Sequence, residues 1–280
     1  MSISLHYNQA ASVVRQNLES ASLDVGRRSQ RLSTGLRINS AGDDAAGLGL
    51  SKKISAQVSS SDMAKNNTQT AINMMQTMDA DLSVIQNNLQ RMRDLGVQAS
   101  NGVYSANERD MLQTEYLSLW DENSRVVKSS KFADINLFTV TSEAGDGIFF
   151  DMNSTDIQVG TNNGSKDRIN IGGASAAIES PGLSTAFNAQ TTIEWMGYAL
   201  DSVSSMRANI GAKINRLSAT VERTLTRKEN IASATSEIVD ADIAIEAAAL
   251  NKSQIRQQAS TSLLQQANSM STIALTLLKQ

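Results

Sequence analysis

Residues 72–99 read INMMQTMDADLSVIQNNLQRMRDLGVQA. Ile72, Met75, Met78, Leu82, Ile85, Leu89, Met92, Leu95 and Ala99 recur there at steps of three or four, about 3.4 residues on average, near the 3.5-residue repeat of helices packed lengthwise. Most of the positions between are Asn, Gln, Asp, Ser and Arg. The stretch predicts a long helix with one narrow apolar face, which needs partners of similar length to bury it.

Ile193, Met196, Leu200, Val203, Met206, Ile210, Lys213 or Ile214, Leu217, Val221 and Leu225 form a second stripe of the same period. Residues 104–128 supply a third, through Leu112, Tyr116, Leu119, Val126 and Val127. Between about 134 and 182 the chain is glycine-rich and holds its one proline, Pro181. Short apolar runs there (148–150, 157–159 and 169–171) alternate with Asp-Gly and Asn-Gly, the pattern of small hairpins. The expected fold is mainly α: a long coiled-coil-like helix bundle with a small β-hairpin insert. The simplest closed arrangement brings the two chain ends together and sets the insert as a cap at the far end.

Composition narrows the function classes. The 280 residues include no cysteine and one histidine, His6, so thiolate metal sites are excluded and no metal site or cofactor is expected. Asp151, Asn153 and Thr155 alternate as calcium ligands do, but Asp156 and Asn162 stand where such a loop needs glycine and glutamate. Gly47-Leu48-Gly49-Leu50-Ser51-Lys52 lacks phosphate-loop spacing. With no oriented nucleophile–base pair to propose, the sequence points away from an enzyme. The net charge of -3 is unevenly spread, with mildly basic ends around an acidic middle. Those ends carry no Lys/Arg cluster, so no nucleic-acid partner is expected. No apolar run is long enough for a membrane span, and residues 1–10 do not resemble a signal peptide.

The ends are poor in charge yet also poor in apolar residues. Ile3, Leu5, Val13 and Leu18 near the start, and Ile255, Leu263, Leu264, Ile273 and Leu277 near the finish, lie among Ser, Asn, Gln and Thr. Each stripe is too narrow to build a core alone, so these residues are expected to be buried between subunits. Neither end offsets roughly 1–2 kcal/mol of backbone entropy per residue, so both are expected to be largely disordered until assembly orders them. Residues 31–51, RLSTGLRINSAGDDAAGLGLS, interleave charge with small residues. Arg31, Arg37, Asp43 and Asp44 are candidates for arginine–carboxylate forks in a connector where glycine and alanine let neighbouring segments approach closely.

The chain resembles a bacterial flagellin, in a short form lacking large outer domains. The resemblance rests on residues 32–41 (LSTGLRINSA) followed by Asp43-Asp44-Ala45-Ala46-Gly47-Leu48, on residues 89–95 (LQRMRDL), on Gln257-Gln258-Ala259, and on residues 264–268 (LQQAN). It implies a filament subunit for swimming motility, with an inner core domain of residues 1–40 and 244–280. Residues 41–243 would form a rod domain that includes the β-rich insert. Implied partners are further copies of the chain, the flagellar type III export apparatus, a flagellin chaperone, and hook-associated and cap proteins; the implied location is the extracellular flagellum. Toll-like receptor five is a further implied partner, with Gln90, Arg91, Leu95 and Glu115 as the matching contact residues. A hook–filament junction protein and a soluble coiled-coil adaptor are the alternatives.

Overall fold

The computed structural model describes the backbone of residues 8–142, 147–179 and 181–277, and the side chains of these except 141, 142 and 271–277. Five helices dominate: α1 (Gln9–Thr34), α2 (Ala45–Ala99), α3 (Ala106–Ser129), α4 (Ala186–Val239) and α5 (Ile243–Leu277). Among the described residues between α3 and α4 lie seven short strands: β1 (Lys131–Phe132), β2 (Ile135–Asn136), β3 (Phe138–Ser142), β4 (Gly147–Met152), β5 (Asp156–Gln158), β6 (Arg168–Asn170) and β7 (Ser175–Glu179). The chain divides into two compact units, one of residues 1–56 with 230–280 and the other of residues 57–229.

In the second unit, every member of the Ile72–Ala99 stripe is buried. The facing stripe on α4 buries Met196, Val203, Met206, Ile210 and Leu217, while Ile193, Leu200, Ile214 and Val221 are half-buried. Leu225 drifts out to 43% exposure because Thr220 and Thr224 take the inward positions at that end. The helices run antiparallel: Gly96 faces Ile193, Arg207 pairs with Asp79 at 2.8 Å, and Lys228 with Asp62 at 2.6 Å. Helix α3 starts at a capping box in which the Ser105 amide donates to Glu108 Oε2 at 2.7 Å. It turns back along α2, where Tyr116, Val126 and Val127 join the core and Asn123 accepts from Asn88 at 2.9 Å.

The insert does not cap the far end of the helices. It lies along the flank of α2 and α4, where Asn67 donates to the Gln158 carbonyl at 3.4 Å and the Lys213 ammonium donates to the Gly172 carbonyl. The physical reason is that α3 ends near the level of Asp81, which accepts from the Ser130 hydroxyl. The apolar stripe of α2 continues beyond that level through Met78, Met75 and Ile72. The inner faces of β3, β4 and β7, an antiparallel sheet in that order, contribute Phe138, Ile148, Phe150, Met152, Ala176 and Ile178 to the same core. Phe138 and Phe150 meet edge to face, with ring centroids 5.5 Å apart.

Candidate functional site

The first unit is built on α1 and α5. They run antiparallel: the Asn8 side chain, which caps α1, donates to the Ala267 carbonyl at 3.0 Å, and Arg28 reaches Glu246 at 2.7 Å near the other end. The inward positions of α1 are Ala11, Val14, Leu18, Ala21, Val25, Arg28 and Leu32, and those of α5 are Glu246, Leu250, Ser253, Gln257, Ser260, Leu264 and Ala267. Both sets step three and four residues in turn, as in a two-helix seam. The residues most completely covered are Ala21, Ser253, Ser260 and Glu246, so the seam is narrow and made of small and polar side chains.

The larger apolar side chains of these helices point elsewhere. Val13 is 51% exposed, Leu23 61%, Ile255 66%, Leu263 52% and Met270 67%. At about 100° per residue, Ile255 falls roughly opposite the seam of α5, and Leu263 and Met270 fall together on one flank of it. Of the expected assembly residues, Val13, Ile255 and Leu263 therefore present free apolar surface, whereas Leu18 and Leu264 are half-buried in the seam. Ile3 and Leu5, and the side chains of Ile273 and Leu277, lie outside the described residues.

One end of the seam closes on a charged cluster. Glu246 Oε2 accepts from Arg28 at 2.7 Å and Oε1 from Arg31 at 3.2 Å. Arg31 also approaches Asp43 at 3.7 Å. The Arg28 hydrogen bond, with Arg31 adding to it, holds the Glu246 carboxyl below its ordinary pKa despite its burial. Asp43 is lowered as well, first by the Ser40 hydroxyl and then by the backbone amides of Ser40 and Asn39.

Among the described residues, Arg37 and Asp44 do not enter an arginine–carboxylate fork. The Arg37 guanidinium donates to the Ile238 carbonyl at 2.6 Å, and the Arg37 amide donates to the Val239 carbonyl. Asp44 accepts from the Gly47 amide at 2.9 Å, capping the start of α2. Glu246 instead takes two of the four guanidinium groups of α1, those of Arg28 and Arg31. Glu246 and Arg28 were missed in the sequence. The available signal was that Glu246 is the one carboxylate from residue 244 to the C-terminus.

Glycine has definite work in this junction. Gly35 ends α1 in the left-handed region at φ 71°, after which Leu36 bridges to Asp240 and the Ala241 amide donates to the Gly35 carbonyl. A Cβ on Gly47 would come within 2.4 Å of Asp44 Oδ2 and 2.7 Å of Ile38 Cδ1. Gly47 thus makes room for the α2 cap and for buried Ile38 together.

In the second unit, Gln90, Arg91 and Glu115 are exposed, with Arg91 and Glu115 paired at 2.7 Å. Leu95 has no exposed surface. It belongs to the core stripe and supports this face from beneath rather than forming part of it, which removes Leu95 from the implied contact residues. Among the described residues no group of three or more His, Asp or Glu side chains gathers as a metal site. None of the described helices is long and apolar enough to cross a membrane.

The family described as the bacterial flagellin N-terminal helical region matches residues 5–143, and the bacterial flagellin C-terminal helical region matches residues 193–278. The chain is 32% identical over 286 residues to flagellin FlaB1 of Treponema pallidum (strain Nichols), covering 98% of this chain and 99% of that protein. It is 32% identical over 281 residues to a flagellin of Halalkalibacterium halodurans, again covering 98% and 99%. Among solved structures, a provisionally named flagellar hook-associated protein of Vibrio parahaemolyticus superposes with a TM-score of 0.57 at 12% identity, covering 71% of this chain and all of that one. At that identity the likeness is one of fold.

Proposed function

The chain belongs to the bacterial flagellin family, and on that premise we propose how it works as a structural subunit of the flagellar filament. Copies join through the terminal helices. The observation that carries this reading is the mismatch on α1 and α5, whose seam is small and polar while Val13, Leu23, Ile255, Leu263 and Met270 stand exposed. A helix apolar on more than one side calls for cover on each of them, and further copies of the same chain supply that cover in a helical polymer. The α1–α5 pair is marginal by itself in the free subunit and is made firm by assembly, which couples ordering to polymerisation. Residues 1–40 with 244–280 make the inner core domain and residues 41–243 the rod. The loosely held ends also suit export of an unfolded chain through the flagellar type III apparatus, with a chaperone covering the C-terminal apolar residues beforehand. Hook-associated and cap proteins then meet the growing filament outside the cell.

The test is seeded polymerisation followed by electron microscopy. Full-length protein forms filaments; a chain lacking residues 263–280 keeps its second unit folded and stays unpolymerised. Normal filaments from the truncated chain would overturn the reading. Full-length protein that forms only short caps on seeds would favour the hook–filament junction alternative instead.

The exposed Arg91–Glu115 pair, with Gln90 beside it, favours a second role in the free subunit as a contact for Toll-like receptor five. The Arg91→Ala variant should lose potency in a receptor reporter assay with monomer. Undiminished potency would remove that role.

A further inference from the structure

We infer that Asn163-Gly164 is a self-modifying site, at which the Gly164 backbone nitrogen closes on the Asn163 side-chain carbonyl and expels ammonia. The two residues sit in the loop of the β5–β6 hairpin, and Asn163 is exposed to water. Three groups converge there. The first is the nucleophile, a backbone nitrogen whose own residue has no side chain to obstruct approach. The second is Arg168, whose Nη2 donates to Asn163 Oδ1 at 2.5 Å. Its Nε is held by Gln158 Oε1 at 3.3 Å, which keeps the guanidinium on the loop. A cation on that oxygen draws electrons from the carbonyl carbon and stabilises the negative charge that develops during attack. The third is Asp167, whose Oδ2 lies 3.7 Å from the position a Cβ on Gly164 would take, a carboxylate next to the residue that supplies the nucleophile and able to serve as its base.

The step balances without any redox partner. A bond forms between Gly164 N and Asn163 Cγ, and the bond from Cγ to Nδ2 breaks. The amide proton of Gly164 passes by way of Asp167 to the leaving nitrogen, and ammonia departs from a five-membered succinimide. Water then opens the ring at either carbonyl, leaving aspartate or isoaspartate. The net exchange is one water for one ammonia, and the new carboxylate lies beside Arg168, which pairs with it.

The chain carries its own control. Asn101-Gly102 is also exposed, but Asn101 Oδ1 takes the neutral amide of Val103 at 3.1 Å, and the nearby Arg109 donates to the main-chain carbonyl of Asn101 instead. That site has the glycine without the cation on the side-chain carbonyl.

The experiment incubates full-length protein at mildly alkaline pH and follows both peptides by mass spectrometry and isoaspartyl methyltransferase labelling. Asn163 is expected to convert about five- to tenfold faster than Asn101, an exposed donor being worth less than the hundredfold or more of a buried oxyanion donor. Arg168→Gln should bring the two rates together, and Arg168→Lys should retain part of the difference. Gly164→Ala, for which the nearest contact is an ordinary 3.7 Å, should slow Asn163 sharply while the hairpin stays folded. Equal rates at the two asparagines in the unaltered chain, or an unchanged Asn163 rate in Arg168→Gln, would overturn the proposal.

Discussion

The Glu246 carboxyl is held below its ordinary pKa, first by the hydrogen bond from Arg28 and then with help from Arg31. A carboxyl whose folded pKa is depressed adds stability that is complete above the unfolded value, about 4.3 for glutamate, and is lost as pH falls through the folded value. Asp43 is lowered too and acts in the same direction. Acidification through about pH 4 should therefore loosen α1 and α5, and amide hydrogen exchange over residues 9–34 should report the loss. In Glu246→Gln the starting protection is lower and the acid-induced drop smaller; an identical acid profile would contradict the assignment. A second residue-scale case is the β1–β2 turn, where Ala133 and Asp134 both adopt positive φ, 47° and 64°. Such hairpin turns favour Asn-Gly, so Ala133→Asn with Asp134→Gly should raise stability by about 0.5–1.5 kcal/mol, read as a higher urea midpoint.

At the scale of the elements, leucines in similar sequence settings have opposite duties. Leu89 has no exposed surface, whereas Leu263 is 52% exposed. Leu89→Ala should cost the free subunit about 2–5 kcal/mol, through lost transfer energy and the cavity left among helices that cannot close fully. Leu263→Ala should change monomer stability by less than about 0.5 kcal/mol and yet raise the critical concentration for polymerisation. Denaturant titration of monomer, with sedimentation of polymer, separates the two effects. The reverse pattern would mean that the exposed face of α5 is not an assembly face.

For the whole molecule, the contrast between its units predicts where a protease cuts. The second unit buries Met, Leu and Ile along α2 and α4, with Tyr116, Val126 and Val127 of α3 and the inner face of a sheet, while the first covers mainly Ala21, Ser253, Ser260 and Glu246 along its helix seam. Local opening is therefore cheap in the first unit and expensive in the second. Limited proteolysis of monomer should nick within residues 9–34 and 243–277 and leave a resistant fragment inside residues 57–229; in filaments the terminal cuts should disappear. Termini equally resistant in both states would show that assembly adds no order to them.

The long helices were legible in the sequence because a 3.5-residue apolar repeat has one economical solution, burial along a seam. The residues of the Ile72–Ala99 stripe were identifiable one by one for the same reason. Hairpin runs bounded by Asp-Gly and Asn-Gly could be read as strands, since such turns constrain only local backbone. What the periodicity left open was which neighbour each face would meet. Val13 and Val14 are both apolar and adjacent, and only the packing of α5 on α1 turns Val14 inward and leaves Val13 exposed. Arg31 and Arg37 look alike in the connector, but Glu246, more than 200 residues away, takes the first, and the carbonyl of Ile238 takes the second. The insert's place beside α2 rather than at its end depended on how far α3 runs before stopping. Repeat and turn chemistry act over a few residues and so were set by the sequence itself. The partners of charged groups and the covering of surplus apolar faces depend on separations that close only in three dimensions, and the tertiary structure alone decided them.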